Sequence, residues 1–473
     1  LRSDYTELSP EDVSVAGRFS RRIPLKTPIV SAAMDTVTEH AMAIAIACAG
    51  GIGVIHRNLS PEAQADEIDR VKYYLNARIE KPICIKNTEQ TLANVIAWRK
   101  EKEYSFTSFP VIDAEGRLIG LLTGDHFECY DSAQTVAEVM EREICTAGEK
   151  TTVEEAYRIL TEQRMKILPL VSSADRKLVG IYIRSDLKRI MSGEGAHNTD
   201  ANGNLRVAAA VGVGKSAIER AERLVAKKVD ALVIDTAHAY TKSVIETLRE
   251  LKRHFPDTDV VVGNISEEDA AYTLAEEGAD GIKVGQGVGS ICTTATVTGV
   301  GRAQLSAIYW SARGARKRGV PVCADGAIRF SSDMTLAFAA GAESVMLGNL
   351  LARTEESPGR IVVIGGTRMK MYRGMGSVGA IRGNVDRYLQ GGKLTGGMVV
   401  AEGVEAAVPL KGSVVLTVQE YIEGLRRGMS SVGAGNIRTL QEQARFERLT
   451  SSAITELRPH DVTVIEEAFI SPE

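Results

Sequence analysis

The 473-residue chain has no CxxC pair, no stretch of 18 or more apolar residues and no basic tract. Each absence removes a class of function. Six cysteines, Cys48, Cys84, Cys129, Cys145, Cys292 and Cys323, are scattered without zinc-ligand spacing. They read as free thiols in a reducing compartment and argue against metal catalysis through cysteine or histidine. The lack of a long apolar run and the polar start Leu1-Arg2-Ser3-Asp4-Tyr5 indicate neither a membrane span nor a signal peptide, so a cytoplasmic location is expected. The missing initiator methionine suggests a trimmed start. A net charge of −4 and a pI of about 6.1 give no support for binding nucleic acid or an anionic membrane, so a polyanionic ligand needs a local site. What remains is ordinary globular material, 44% hydrophobic and 25% charged, long enough for one large domain and a smaller one.

The most informative segment present is Gly285-Gln286-Gly287-Val288-Gly289-Ser290-Ile291-Cys292-Thr293-Thr294. Alternating glycines admit backbone conformations closed to other residues and bring N–H groups close to a ligand, while Cys292 follows as a potential thiolate. Read alone, the same letters fit a tight turn after a strand and a small buried cysteine. Their surroundings decide the matter.

Short Val- and Ile-rich runs alternate with longer amphipathic segments along the chain. Eight candidate strands are Pro28–Ala33, Gly51–Ile55, Val207–Val211, Ala231–Asp235, Val260–Gly263, Gly281–Val284, Val320–Ala324 and Ser344–Leu347. Their continuous apolar character suits parallel strands buried on both faces, and Lys215–Lys228 and Ala303–Arg318 carry helical spacing. The pattern predicts an α/β chain whose fold is a (β/α)8 TIM barrel. Chemistry in such a barrel is built where strands end. Met34-Asp35-Thr36, Asp235-Thr236, Gly263-Asn264, the cysteine loop, Asp325-Gly326 and Gly348-Asn349 all fall at those ends. Cys323, inside the seventh strand, reads as core packing.

The barrel pattern is interrupted. Predicted domains are 1–81 (barrel, first part), 82–193 (an insert) and 194–473 (barrel, second part). The insert repeats itself. Phe109-Pro110-Val111-Ile112, Leu118-Ile119-Gly120-Leu121-Leu122 and Asp125 recur as Leu168-Pro169-Leu170-Val171, Leu178-Val179-Gly180-Ile181-Tyr182 and Asp186, each preceded by a helix opening near Thr91 or Thr152. The pair resembles tandem CBS modules, a resemblance that implies binding of ATP or GTP as regulators. It departs from that pattern at the ribose-binding hydroxyl, with Thr123 only two residues before Asp125 and Ile183 three before Asp186. A purely structural or assembly role stays open.

Barrel, insert and cysteine loop in this order resemble the IMP dehydrogenase and GMP reductase family over essentially the full length. The motifs carrying the likeness are Ser31-Ala32-Ala33-Met34-Asp35-Thr36-Val37, Gly50-Gly51-Ile52-Gly53, Asp235-Thr236-Ala237-His238, Gly289-Ser290-Ile291-Cys292-Thr293-Thr294, Ala324-Asp325-Gly326, Met346-Leu347-Gly348-Asn349 and Tyr372-Arg373-Gly374-Met375-Gly376-Ser377. Departures are Val288 where the family often has Pro, Ala295 where Arg is frequent, and Ala327 in place of a second glycine.

The resemblance implies NAD-dependent oxidation of inosine 5′-monophosphate (IMP) to xanthosine 5′-monophosphate (XMP). A purine C2 does not release hydride readily; thiolate attack by Cys292 makes that carbon tetrahedral, so hydride can pass to nicotinamide and leave a thioimidate for water to hydrolyse. By the same resemblance Arg387, paired with Tyr388 on a mobile flap at about 378–401, activates that water, with Thr294 sharing the proton. Shorter segments without the Arg-Tyr pair mark GMP reductases. The phosphate is expected on Ser290, Gly326, Gly348, Asn349 and Tyr372, the ribose on Asp325, and the base against Met34, Gly374, Met375, Gly376 and Glu402. Asp235, Asn264, Gly285 and Gly287 are assigned to NAD. A potassium ion is implied on carbonyls of Gly287, Gly289 and Cys292, with Glu456, Leu457 and Arg458 coming from a neighbouring subunit. That last feature implies a homotetramer, which CBS inserts can stack into an octamer. Two other functions remain: NADPH-dependent reduction of GMP to IMP and ammonia, and non-catalytic nucleotide sensing.

Overall fold

The computed structural model describes residues 1–75, 78–102, 104, 106–192, 196–383 and 400–460. The chain divides into two compact units, one formed by Leu1–Tyr74 with Gly195–Glu473 and the other by Leu75–Glu194.

The first unit is a closed barrel of eight parallel strands. In chain order these are β1 (Ile29–Ser31), β2 (Ile52–Ile55), β3 (Val207–Val211), β4 (Ala231–Asp235), β5 (Asp259–Ile265), β6 (Gly281–Val284), β7 (Val322–Asp325) and β8 (Ser344–Leu347). The circle closes where β8 pairs with β1 through Val345 and Ile29, and β2 pairs with β3 through Gly53 and Val207. All eight predicted strands are present; β3, β4, β6 and β8 match to the residue, and the other four have shifted ends. Pro28 lacks an N–H to donate, so β1 starts one residue later. Both barrel helices predicted by name form, as Lys215–Ala226 and Gln304–Arg316. Apolar residues of these strands are enclosed by both the barrel interior and the helical ring; Val207 to Val211 are all fully buried. Burial of this kind is worth roughly 1.5–3 kcal/mol per large apolar side chain.

After β8 the chain adds an antiparallel sheet of β9 (Ile361–Ile364), β10 (Thr367–Arg373) and β11 (Glu405–Pro409), in which Arg373 pairs with Glu405. This sheet delivers Tyr372 and the Gly374-Met375-Gly376 loop to the barrel's C-terminal face.

The second unit begins earlier than residue 82 because Arg78–Ile79 pairs with Leu178–Ile183. Its two halves each build a core. Leu92, Val95, Phe109, Val111, Leu122 and Val136 pack in one; Ala156, Leu160, Leu168, Leu170, Tyr182 and Leu187 pack in the other. Each half has a helix capped by the threonine its repeat shares: Thr91 accepts from Asn94 N, and Thr152 accepts from Glu155 N.

Candidate active site

The cysteine loop leaves the end of β6 and is stitched to two other segments. Thr293 N donates to Glu402 O at 3.1 Å, and Val404 N donates to Ile291 O at 3.1 Å. Gly374 N donates to Val404 O at 3.0 Å, and Glu402 N donates to Gly376 O at 2.9 Å. Residues 402–404 therefore lie as an extended segment between the thiol loop and the loop after β10, with Gly403 bridging Cys292 in antiparallel sense. Gly374 lets the segments approach closely, since a Cβ would sit a tight 3.1 Å from Ile291 O and 3.2 Å from Gly403 Cα.

This stitching lines up three functional groups. The half-buried Cys292 thiol donates to Thr294 Oγ1 at 3.2 Å, and Thr294 Oγ1 donates to Glu402 Oε2 at 2.7 Å. A hydroxyl thus bridges a thiol and a carboxylate, the arrangement that moves a proton off sulfur. Cys323 differs in every respect. It is fully buried on β7, and burial pushes its thiol up to about 12, so it is an inert core residue.

Beside the thiol lies a second group of side chains, forming a wall at the ends of β7 and β8. Asn349 Nδ2 donates to Ser290 Oγ at 3.2 Å. Tyr372 is 3% exposed, with Oη 4.0 Å from Met34 Sδ and a hydrogen bond with the Ser290 side chain; burial pushes its phenol up to about 12. Gly348 leaves room for that phenol, as a Cβ there would lie 3.0 Å from Tyr372 Oη. Met375 is buried alongside. Gly326 has φ +98°, and Val288 packs within 3.1 Å of where its Cβ would be. Ala327 follows at φ +57°, a left-handed conformation that its family position usually gives to glycine. Ala295 packs against Gly287, itself at φ +76°.

A third cluster joins β4 to β7. Asp325 Oδ2 accepts from Asn264 Nδ2 at 2.9 Å and from Lys283 Nζ at 2.8 Å. Lys283 Nζ also reaches Asp235 Oδ1 at 3.1 Å and donates to Asn264 Oδ1. Asn264 Nδ2 donates to Gly285 O at 2.7 Å. Gly285, at φ +150°, tolerates no side chain because a Cβ would lie 2.0 Å from Asp325 O.

The chain's sequence likeness agrees with this layout. Residues 1–460 match the family described as the IMP dehydrogenase / GMP reductase domain. The chain belongs to this family. It is 43% identical to inosine-5′-monophosphate dehydrogenase of Aquifex aeolicus, over 99% of this chain and 95% of that one, and 40% identical to the Bacillus subtilis protein of the same name, over 98% and 94%. Among solved structures, a cysteine-to-alanine variant of GMP reductase from Trypanosoma brucei in complex with guanosine 5′-monophosphate superposes with a TM-score of 0.89 at 35% identity, over 98% of this chain and 96% of that one. GMP reductase from the same organism in complex with guanosine 5′-triphosphate superposes with a TM-score of 0.79 at 32% identity, over 95% and 96%.

Within this family's barrel, the structure brings Cys292, Thr294, Glu402, Gly374 and Gly376 together at the thiol, and Met34, Ser290, Gly348, Asn349 and Tyr372 at the wall beside it. Asp235, Asn264, Gly285 and Asp325 share the third cluster. Arg387 and Tyr388 lie outside the described residues. Glu456 ends a short helix (Ser451–Glu456), followed by Leu457 and Arg458; all three are exposed, and no described hydrogen bond or ion pair ties them to the cysteine loop. Gly287 and Gly289 stay in that loop, with Gly289 O accepting from Cys292 N at 3.1 Å. Among the described residues no group of three or more His, Cys, Asp or Glu could hold a metal ion, and no helix is long and apolar enough to cross a membrane.

Two participants escaped the sequence reading. Lys283 carried a signal, a lone cation in the otherwise apolar strand Gly281–Val284. Arg373 and Asp35 both lay in quoted motifs, but their bidentate pairing was missed because they are 338 residues apart.

Proposed function

We propose that the protein is an oxidoreductase that oxidises IMP to XMP with NAD. The observation that carries this reading is the Cys292–Thr294–Glu402 line in a chain whose relatives at 40–43% identity are named inosine-5′-monophosphate dehydrogenase. Cys292 Sγ attacks purine C2, forming a C–S bond as the C2=N3 π bond opens onto N3 and the thiol proton passes by way of Thr294 to Glu402; departure of the C2 hydride restores C2=N3 and leaves the thioimidate. NAD, when bound, supplies the acceptor for the C2 hydride. Asp235, Asn264 and Gly285 form one hydrogen-bonded cluster at the strand ends, a polar donor and acceptor set that fits a ribose and a carboxamide. Water then displaces sulfur from the thioimidate; Arg387 of the segment about 378–401 activates it, with Tyr388 beside it and Thr294 sharing the proton. Ser290, Gly326, Gly348, Asn349 and Tyr372 hold the phosphate, where barrels of this kind place phosphate sites. Asp325 holds the ribose, and Met34, Gly374, Met375, Gly376 and Glu402 hold the base.

Potassium is assigned to carbonyls of Gly287, Gly289 and Cys292, completed by Glu456, Leu457 and Arg458 of a neighbouring subunit in a homotetramer. The Leu75–Glu194 unit is assigned as the tandem CBS pair. A cavity of about 790 Å3 within it is lined by Ile79, Phe106 and Ile181 together with Lys81, Lys166, Arg184 and Lys188, a mixture suited to the base and phosphates of ATP or GTP.

A second reading, GMP reduction, is favoured by the solved GMP reductase structures that superpose on the whole chain. Absorbance at the reduced-nicotinamide band separates the two. NADH formation from IMP and NAD is expected. NADPH consumption with ammonia release from GMP, and no oxidation of IMP, overturns the first reading.

A further inference from the structure

Every residue of β6 is buried, Lys283 included. An ammonium leaves water only where partners replace it, and Lys283 has them on three strands: Asp235 at the end of β4, Asn264 near the end of β5 and Asp325 at the end of β7. Its stem crosses β5 where that strand has no side chain. A Cβ at Gly263 would lie 2.5 Å from Lys283 Cβ and 2.6 Å from Lys283 O. One positive charge therefore sits between two carboxylates of unlike exposure. Asp235 is 2% exposed, and Asp325 keeps 24% of its side chain open.

We propose that Lys283 is a positioning residue that sets the nucleotide and the dinucleotide in register by holding both ribose-recognising carboxylates on one ammonium. The proposal rests on the assignment of Asp235 to the dinucleotide and Asp325 to IMP made above. A ligand hydroxyl that draws Asp325 outward changes how strongly Lys283 holds Asp235, so occupancy of one site is felt at the other. Asn264 closes the triangle by donating to Asp325 and to Gly285 O, which ties the same network to the loop carrying Cys292.

Calorimetric titration of the full-length protein with IMP tests the coupling, using Asp235→Asn, a change outside the IMP site. With Asp235 neutralised, Lys283 is free to hold Asp325 more tightly, and IMP Kd is expected to rise at least ~5-fold. An affinity within about twofold of wild type, or a tighter one, overturns the proposal. Turnover gives an independent readout. Lys283→Met is expected to lower kcat/KM by about 100-fold and to expose a primary isotope effect on kcat with C2-deuterated IMP, while Lys283→Arg recovers activity to within about tenfold of wild type. Equal activity of the Met and Arg variants, with no isotope effect in either, also overturns it. If Lys283→Met fails to fold, the Asp235→Asn titration decides alone. A wild-type protein that forms no NADH from IMP sinks the functional reading instead.

Discussion

The ion pair between Asp35 and Arg373 ties the two walls expected to hold the purine base, and its removal has a calculable cost. Arg373 Nε lies 3.1 Å from both carboxylate oxygens, and Nη2 donates to Oδ2 at 2.6 Å. The carboxylate is 6% exposed and the guanidinium side chain 32%. Breaking a buried pair costs about 3–5 kcal/mol, whereas an exposed pair is worth about 0–1 kcal/mol. This pair lies between those limits, and Asn58 Nδ2 still donates to Asp35 at 2.6 Å after Arg373 is gone. Arg373→Met is therefore expected to destabilise the barrel by about 2 kcal/mol, Asp35→Asn by a similar amount, and the double variant by about 2 rather than 4 kcal/mol. The chain's two tryptophans simplify the measurement. Trp98 belongs to the Leu75–Glu194 unit and Trp310 to the barrel, so a Trp98→Phe background makes Trp310 fluorescence report urea unfolding of the barrel. A coupling energy below about 0.5 kcal/mol would refute the claim that these walls are held through this pair.

Replacing Cys292 with alanine should abolish NADH formation while IMP binding, followed by calorimetry, stays within about threefold of wild type. Ala327→Gly should relieve about 1–2 kcal/mol of left-handed strain and lose about 0.5–1 kcal/mol to chain entropy, a net gain of about 0.5 kcal/mol in urea unfolding. A loss of stability would show that the alanine methyl packs usefully. Cys323 gives a pH dependence. Its folded thiol titrates at about 12 against an ordinary 9.0, so the unfolded chain sheds the proton first and stability is whole below pH 9 and lost as pH rises towards 12. The loss amounts to at most about 4 kcal/mol, and Cys323→Ala should flatten the alkaline unfolding curve over that window; an unchanged curve counts against the burial argument.

The barrel was readable because its strands carry a signal every few residues. Val207–Val211, Ala231–Asp235, Gly281–Val284 and Ser344–Leu347 were predicted to the residue, since runs buried on both faces are apolar save for Asp235, Lys283 and Ser344. Strand ends moved where backbone pairing rather than side-chain character sets them: β5 runs on to Ile265 because that residue pairs with Val284 across a register shift. The thiol's neighbours were found through resemblance; their geometry was not readable, as no local pattern predicts that Glu402 meets Thr294 across 108 residues. Lys283 was passed over because it sits in an apolar strand whose periodicity drew attention to its neighbours. Burial made it informative, and burial of a charge is visible only once Asp235, Asn264 and Asp325 converge on it.

The extended segment at 402–404 means that the nucleophile borrows its coordinates. Ile291 and Thr293 on either side of the thiol are clasped by Val404 and Glu402, and those in turn by Gly374 and Gly376. The reactive sulfur behaves like the centre tooth of a zip whose outer rows come from elsewhere in the chain. A nick or insertion at 400–404 would therefore leave eight strands paired and the fold intact, yet silence the chemistry.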